Sequence, residues 1–598
     1  VDWDDYMTET SLFVSGHAAT SNVTPGSYWQ VSPSRDAKDF QIEIRAISAS
    51  DGLFSPIIAV DGGWNLNTFG TWSGTFILQR SIDNGTTWET IRSYQATADR
   101  NVADSGVEDT PVLMRLGFQS ETGTAGSGNQ RAVLTPETPA VRGTALATTY
   151  VSGSKMTGTA ITALLSGQTD IWAEGAFSSL RGFPAAIGLH EKRLTFGGTT
   201  HAPATLWLSQ SDDLNNFEPG TDDNTSITYP IPTPALAPIR WIISQRRLII
   251  GTSRGEWIIG SETSDQPLTP SNFLARSYTA FGTIPLQPVP ANDAILFVER
   301  KGSRLRELAY TPDDTNAAGD LTRLAEHLTQ PGICSLAWQQ TREPALWAVT
   351  RPGTLLHLAY NRTERLSAWS RHTTPSGTFR EVIVLPSDDG DDDVFFIIDR
   401  GNTSHLERLP AHWLQTLETA QTPGLPADPA WPYFYLDGIE GTGTTITVPT
   451  HLQNTPLTLL TLTGSAVVPT LSSVNYNTSP ITITNARYHL GRPYTATYNS
   501  LPIDLAAQDG STAGRLRRLN RIRLNTYRSR EGTVWNASPA RAQLIHRNPS
   551  VTTPLLDGWQ EIVLDPGNLT ETTINITHAS PYPLTLRAAS LSWNPQEP

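Results

Sequence analysis

Between residues 186 and 399 the chain repeats one supersecondary unit five times: an apolar strand, a short polar turn and a second apolar strand. The copies are AIGLHEKRLTFGG, RWIISQRRLIIGT, AILFVERKGSRLRELAY, SLAWQQTREPALWAV and EVIVLPSDDGDDDVFFIID. Corresponding residues of the leading strands are Ile187, Ile242, Leu296, Leu336 and Ile383, at intervals of 55, 54, 40 and 47 residues. A third strand follows in three copies, at 204–210, 255–260 and 354–360. A hairpin of this kind cannot bury both faces alone. A period of about 40–50 residues made of short strands is the mark of propeller blades that supply one another's core. The expected fold class is therefore all-β: a β-propeller core with flanking β-sandwich-like domains.

The rest of the chain is also strand-like. Segments such as FQIEIRAI (40–47), GTFILQRS (74–81) and ITITNARY (481–488) are short, alternating or β-branched, and bounded by Gly, Pro, Asn and Asp. Helical signals are few. Asp320 can cap a short helix with Leu321, Leu324, Ala325 and Leu328 on one face, closed by Pro331 and Gly332. Pro410 can open another, with Trp413, Leu414 and Leu417 on one side. The organisation read from this is an N-terminal β region with a sandwich-like insert (1–180), the propeller repeat (181–422), a Pro-rich linker (423–432) and a C-terminal sandwich-like region (433–598).

Composition narrows the function. Charged residues are 17% of the chain and the net charge is −14. A phosphate-tracking surface needs clustered cations, so the chain as a whole is not a general DNA binder, although an acidic wall can surround a duplex without holding it. The one cysteine, Cys334, excludes a disulfide framework within the chain and any multi-cysteine metal site. Its setting, ICSLAW, is that of a small buried residue. No apolar run approaches the roughly 20 residues of a membrane helix.

The sharpest local motif is SIDNGTTW, residues 81–88. Ser81, Asp83, Gly85, Thr87 and Trp88 fit S-x-D-x-G-x-T-W, which resembles the Asp-box of sialidases and related propellers. Its physics is a hairpin turn: Asp83 accepts backbone N–H groups across the turn, Gly85 supplies positive φ and Trp88 packs beneath. In those families the box is structural, and here it occurs once, outside the repeat. Carboxylates cluster in two further places, Asp212 and Asp213 with Asp222 and Asp223, and Asp388, Asp389, Asp391, Asp392 and Asp393. Neither fits the calcium-loop pattern, and both read as solvated hairpin tips.

Seven arginines, Arg515, Arg517, Arg518, Arg521, Arg523, Arg528 and Arg530, fall within GRLRRLNRIRLNTYRSR. On a regular strand Arg517, Leu519, Arg521 and Arg523 share one face, and Leu516, Arg518, Asn520, Ile522 and Leu524 the other. The stripe is a candidate for a subunit interface or a DNA-facing surface, against a solvated face paired with local carboxylates. No nucleophile elbow, phosphate loop, H-E-x-x-H or dinucleotide fingerprint occurs. No catalytic, cofactor or metal site is read from the sequence.

RGFPAAIGLHEKRLTFGGTTHAPATLWLSQSDDLNNFEPG (181–220) resembles the nozzle, or tail-hub, proteins of short-tailed bacteriophages, also called tail tubular or packaged-DNA-stabilisation proteins. Further stretches follow in the same order: RWIISQRRLIIGTSRGEWIIGS, LTPSNF, ILFVERKGSRLRELAY, DLTRLAEHL and AWSRH, then HLQNTPLTLLTLTGS, HLGRPYTATYNSLPI and GRLRRLNRIRLNTYRS. GTWSGTFILQRSIDNGTTW fits the insert region of that family. The resemblance spans roughly residues 64–586. It implies a structural virion protein: a homohexameric ring below the phage adaptor or connector, with a channel through which double-stranded DNA passes without sequence specificity. The ring would carry tail fibres or spikes and hold a tail needle or plug, and it would assemble in the host cytoplasm. The alternatives are a propeller glycoside hydrolase or sialidase-like enzyme, suggested by the Asp-box, and a monomeric carbohydrate-binding propeller.

Overall fold

The computed structural model describes residues 2–3, 10–13, 26–32, 41–45, 53–119 with gaps at 71–73, 84 and 97–100, and 131–162 with gaps at 139 and 153–154. It also describes 171–409, with gaps at 221, 234–235, 262–265, 310–317, 342–343 and 389. Beyond that it describes 436–462, 470–475, 480–503, 506–507, 510–511, 516–545 with gaps at 530 and 537, 556–564, 571–580 and 584–595. The 423–432 linker and the 410–417 helix fall outside these residues, as do Arg515 and Arg530. The chain divides into two compact units, Val1–Pro285 and Leu286–Pro598.

The first unit begins with two antiparallel sheets. One has six strands, running in space from Asp2–Trp3 to Trp172–Glu174. The other has seven, with Ile58–Phe69, Ala103–Gln119 and Gly74–Ser81 at its centre. Its core includes Trp64, Leu66, Phe76, Leu78, Met114 and Leu116 and reaches both outer strands through Ile42, Ile44, Tyr94 and Ala96. A single sheet that shares one core from edge to edge has to curl on itself, which the right-handed twist of strands promotes.

Two blades follow, each a four-stranded antiparallel meander. The first is Ala186–His190, Arg193–Gly197, Thr205–Leu208 and Ile227–Pro230. The second is Ile239–Ser244, Leu248–Thr252, Glu256–Ser261 and Phe273–Thr279. They share a core that includes Leu206, Leu208, Ile239, Ile242, Leu248 and Ile250. Gly188 and Gly197 sit against Ile242, so closely that a Cβ would fall within 3 Å of its methyl carbons. Trp241 likewise lies on Gly251, and its indole N–H donates to Thr283 Oγ1 at 2.8 Å.

The second unit holds three more meanders. The third blade is Val289–Ala291, Ala294–Val298, Leu305–Ala309 and Ala318–Asp320. The fourth is Ile333–Gln339, Ala345–Thr350, Leu355–Asn361 and Leu366–His372. The fifth has three strands among the described residues: Thr378–Pro386, Asp392–Arg400 and Thr403–Arg408. The fourth and fifth share Trp347, Val349, Val382, Phe396 and Ile398. Period-two alternation explains why equivalent repeat positions fare differently. Val382 turns toward the fourth blade and is buried, so its neighbour Ile383 faces away and is exposed.

Beyond the blades, Leu436–Ile446, Ile481–Arg492, Pro456–Leu462 and Thr470–Asn475 form one sheet with its own core. Leu556–Val563, Arg517–Ser529 and Thr585–Pro595 form another. Leu519, Ile522, Leu524 and Ile562 from that sheet share a core with Val534 and Ile576 of a neighbouring four-stranded sheet, a sandwich arrangement. The fold class is thus all-β, with propeller blades and sandwich-like sheets.

Two local expectations are corrected. Around Asp320 the helix is a single turn, Glu326–Thr329. The Asp320 carboxylate accepts from the Thr322 amide and hydroxyl, which holds a turn where the helix was expected to start, and Leu324 is exposed. Cys334 is exposed, not buried. Ile333 and Ser335 both turn inward, so plain period-two alternation along the strand points the residue between them outward.

Candidate functional site

The Asp-box joins Gly74–Ser81 to Glu89–Ala96. Asp83 Oδ1 accepts from the Thr87 amide at 2.8 Å and from the Ser81 hydroxyl at 2.7 Å, and Oδ2 accepts from the Thr87 hydroxyl at 2.6 Å. The Gly85 amide donates to Ser81 Oγ at 2.8 Å, with Gly85 at φ +90°. Donation from the Thr87 side chain and amide, then from Ser81, pulls the Asp83 pKa down to about 2. Trp88 packs against Ala59, Leu113 and Val141. The Arg115 guanidinium lies between the rings of Trp88 and Phe54, at 4.1 and 4.0 Å from their centres. Both carboxylate oxygens thus serve the turn, as a structural box requires.

The arginine stripe lies on Arg517–Ser529, the central strand of its sheet. A register shift against Thr585–Pro595 falls between Leu519 and Arg521. This bulge inverts the parity that regular alternation predicts. Leu519 joins Ile522 and Leu524 in the core, and Arg518, Arg521 and Arg523 are exposed. Glu561, on the neighbouring strand, meets Arg521 Nη1 at 2.7 Å and Arg523 Nη2 at 2.9 Å. Arg517 and Arg528 lie on the same strand.

Asp212, Asp213, Asp222 and Asp223 are exposed, as expected of a solvated tip, whereas the second acidic loop is partly buried. Asp392 Oδ2 accepts from the Gln340 and Thr341 amides at 2.6 and 2.8 Å, tying the fourth-blade hairpin loop to the fifth blade. Asp393 accepts from Arg408 at 2.6 Å, and Asp212 pairs with Lys192 at 2.8 Å.

Two sets of residues carry chemistry that motif reading does not reveal. Glu256 is fully buried at the start of its strand, where the Thr279 hydroxyl donates to its carboxyl. Burial, only partly opposed by that bond and by the Phe281 and Gly282 amides, pushes its pKa up to about 7. On the fourth blade His357, Ser370 and His372 converge. Their signal in the sequence is a period-two placement, His357 in TLLHLAY and Ser370 and His372 in AWSRH, visible only once the two segments are paired.

No helix among the described residues is long and apolar enough to cross a membrane. No protein-family model matches the chain, and no curated protein matches it. Among solved structures it is similar to the exo-β-1,3-galactanase of Phanerochaete chrysosporium, in complexes with β-1,3-galactotriose and with galactose. Each shows 12% identity over 69% of this chain and 96% of that one, with a TM-score of 0.23. At that score the likeness carries no inference about a site.

Proposed function

We propose that the chain is a structural subunit of a short-tailed phage tail, the nozzle or hub ring, and not an enzyme. In this reading six copies close around a channel for double-stranded DNA below the adaptor ring. The ring carries a fibre or spike outside and a needle or plug at its end. The ordered series of family-like segments across blades and C-terminal sheets supports it. The observation that carries it is the C-terminal sheet, where Arg518, Arg521 and Arg523 stand exposed on a central strand and Glu561 faces two of them. Like charges held on a rigid face favour an acidic partner. A chain of net charge −14 can supply one from its next copy, and a closed ring repeats that contact without a free edge.

Native mass spectrometry and electron microscopy of the purified chain, alone and with its adaptor, test the ring. A hexamer with an open centre is expected, and a monomer under every condition overturns the reading. Replacing Arg518, Arg521 and Arg523 together with Ser should dissociate the ring, most of all at high salt where the remaining pairs are screened. An unchanged hexamer would remove this strand from the interface. Hydrolysis of a β-1,3-galactan or a sialoside, abolished by replacing one carboxylate, would establish the glycosidase alternative instead.

A further inference from the structure

The hairpin formed by the last two strands of the fourth blade carries a group of convergent side chains. His357 stands directly opposite Ser370 in the pairing of Leu355–Asn361 with Leu366–His372, and His372 follows Ser370 by two residues, so all three project from one face. Ser370 Oγ lies 3.2 Å from His372 Nε2 and 3.5 Å from His357 Nδ1. One nitrogen from each ring therefore points at the same place. The ring centres are 6.1 Å apart. Both rings pack on Trp347, at 4.6 and 5.7 Å. Trp347 is itself fixed by donation to Gln339 Oε1 at 2.9 Å and by the Phe396 ring at 5.6 Å. Ser370 and His372 are open to solvent.

We propose that this hairpin binds a divalent transition-metal ion, with Zn²⁺ as its type, through His357 Nδ1 and His372 Nε2. Water completes the shell, and the Ser370 hydroxyl lies beside the ion. Two imidazoles on one tetrahedral ion, with Zn–N bonds of about 2.0 Å, hold their ring centres about 5 Å apart. The observed spacing is a small side-chain torsion away. Imidazole nitrogen suits zinc, copper and nickel, and selects against calcium and magnesium. Among the described residues no group of three or more His, Cys, Asp or Glu is placed to hold a metal. The site is thus a two-histidine chelate that clamps the last two strands of the blade.

Calorimetric titration of the full chain with Zn²⁺, and separately with Ni²⁺, should show one ion bound per chain. His357→Ala and His372→Ala should each weaken it by at least about tenfold, the least that loss of even an outer partner of a metal site costs. His201→Ala should leave it unchanged, because His201 lies in the loop between the second and third strands of the first blade. If an alanine variant does not fold, the wild-type chain still decides the matter. Zn²⁺ should protect His357 and His372 from acylation by diethyl pyrocarbonate, read by peptide mass spectrometry. No binding, binding undiminished in both variants, or protection confined to other histidines would overturn the site.

Discussion

Asp83 and Glu256 accept similar hydrogen bonds, each from a threonine hydroxyl and a backbone amide, yet their acidities move in opposite directions. Asp83 stands at an exposed turn, where donors outweigh desolvation and the pKa falls to about 2. Glu256 lies inside the second blade, where desolvation outweighs the same kind of donors and the pKa rises to about 7. A donor set therefore does not fix a carboxylate's charge, and access to water decides the sign. It follows that the first unit is destabilised at both ends of the pH range, by protonation of one carboxyl and ionisation of the other.

The largest effect belongs to Glu256. Its folded pKa lies above the ordinary value of 4.5, so its contribution is fully present below that value and is lost as the pH rises through about 7. The shift corresponds to about 3 kcal/mol, as an order of magnitude. Thermal midpoints of the wild-type chain should fall between pH 5 and pH 8, and Glu256→Gln should flatten that fall. Equal pH profiles for the two proteins would show that the carboxyl is ionised at no cost.

Asp83 should give a smaller change of opposite sign. Its folded pKa lies below the ordinary 3.8, so the stability it contributes is present above that value and is lost as the pH drops toward 2. Asp83→Ala removes the acceptor of the Thr87 amide and of the Ser81 and Thr87 hydroxyls. Faster hydrogen exchange across Gly74–Ser81 and Glu89–Ala96 is expected at neutral pH, with no loss of assembly. Dissociation of the proposed ring by this change would move the Asp-box from a local turn to an interface.

These contrasts mark what the sequence could reveal. The blades were legible because apolar strands flanking polar turns survive as a period, and the Asp-box because all its donors lie within eight residues. The bulge between Leu519 and Arg521 was not, since nothing in RRLNRIRL announces where an extra residue leaves the ladder. One slip moved Leu519 from the arginine face to the core. Cys334 is different: its strand alternates regularly, and apolar neighbours on the inward face say nothing about a residue on the outward one. Glu256 and the His357–His372 pair were invisible because burial and convergence come from residues distant in sequence.

The smallest effect on stability, and the most informative about assembly, concerns Glu561. Its side chain and those of Arg521 and Arg523 are 42, 45 and 52% exposed, so the ion pairs contribute only about 0–1 kcal/mol to folding. Glu561→Gln should barely shift the thermal midpoint. On association the sign reverses. The change frees two guanidinium groups on a face that already carries Arg518. If an acidic surface of the next copy docks there, the ring should tighten at low salt and lose that gain at high salt. If the face is only solvated, association measured by native mass spectrometry should be the same with and without the carboxylate. A ring weakened by Glu561→Gln would instead make Glu561 itself the contact, with the arginines serving to orient it.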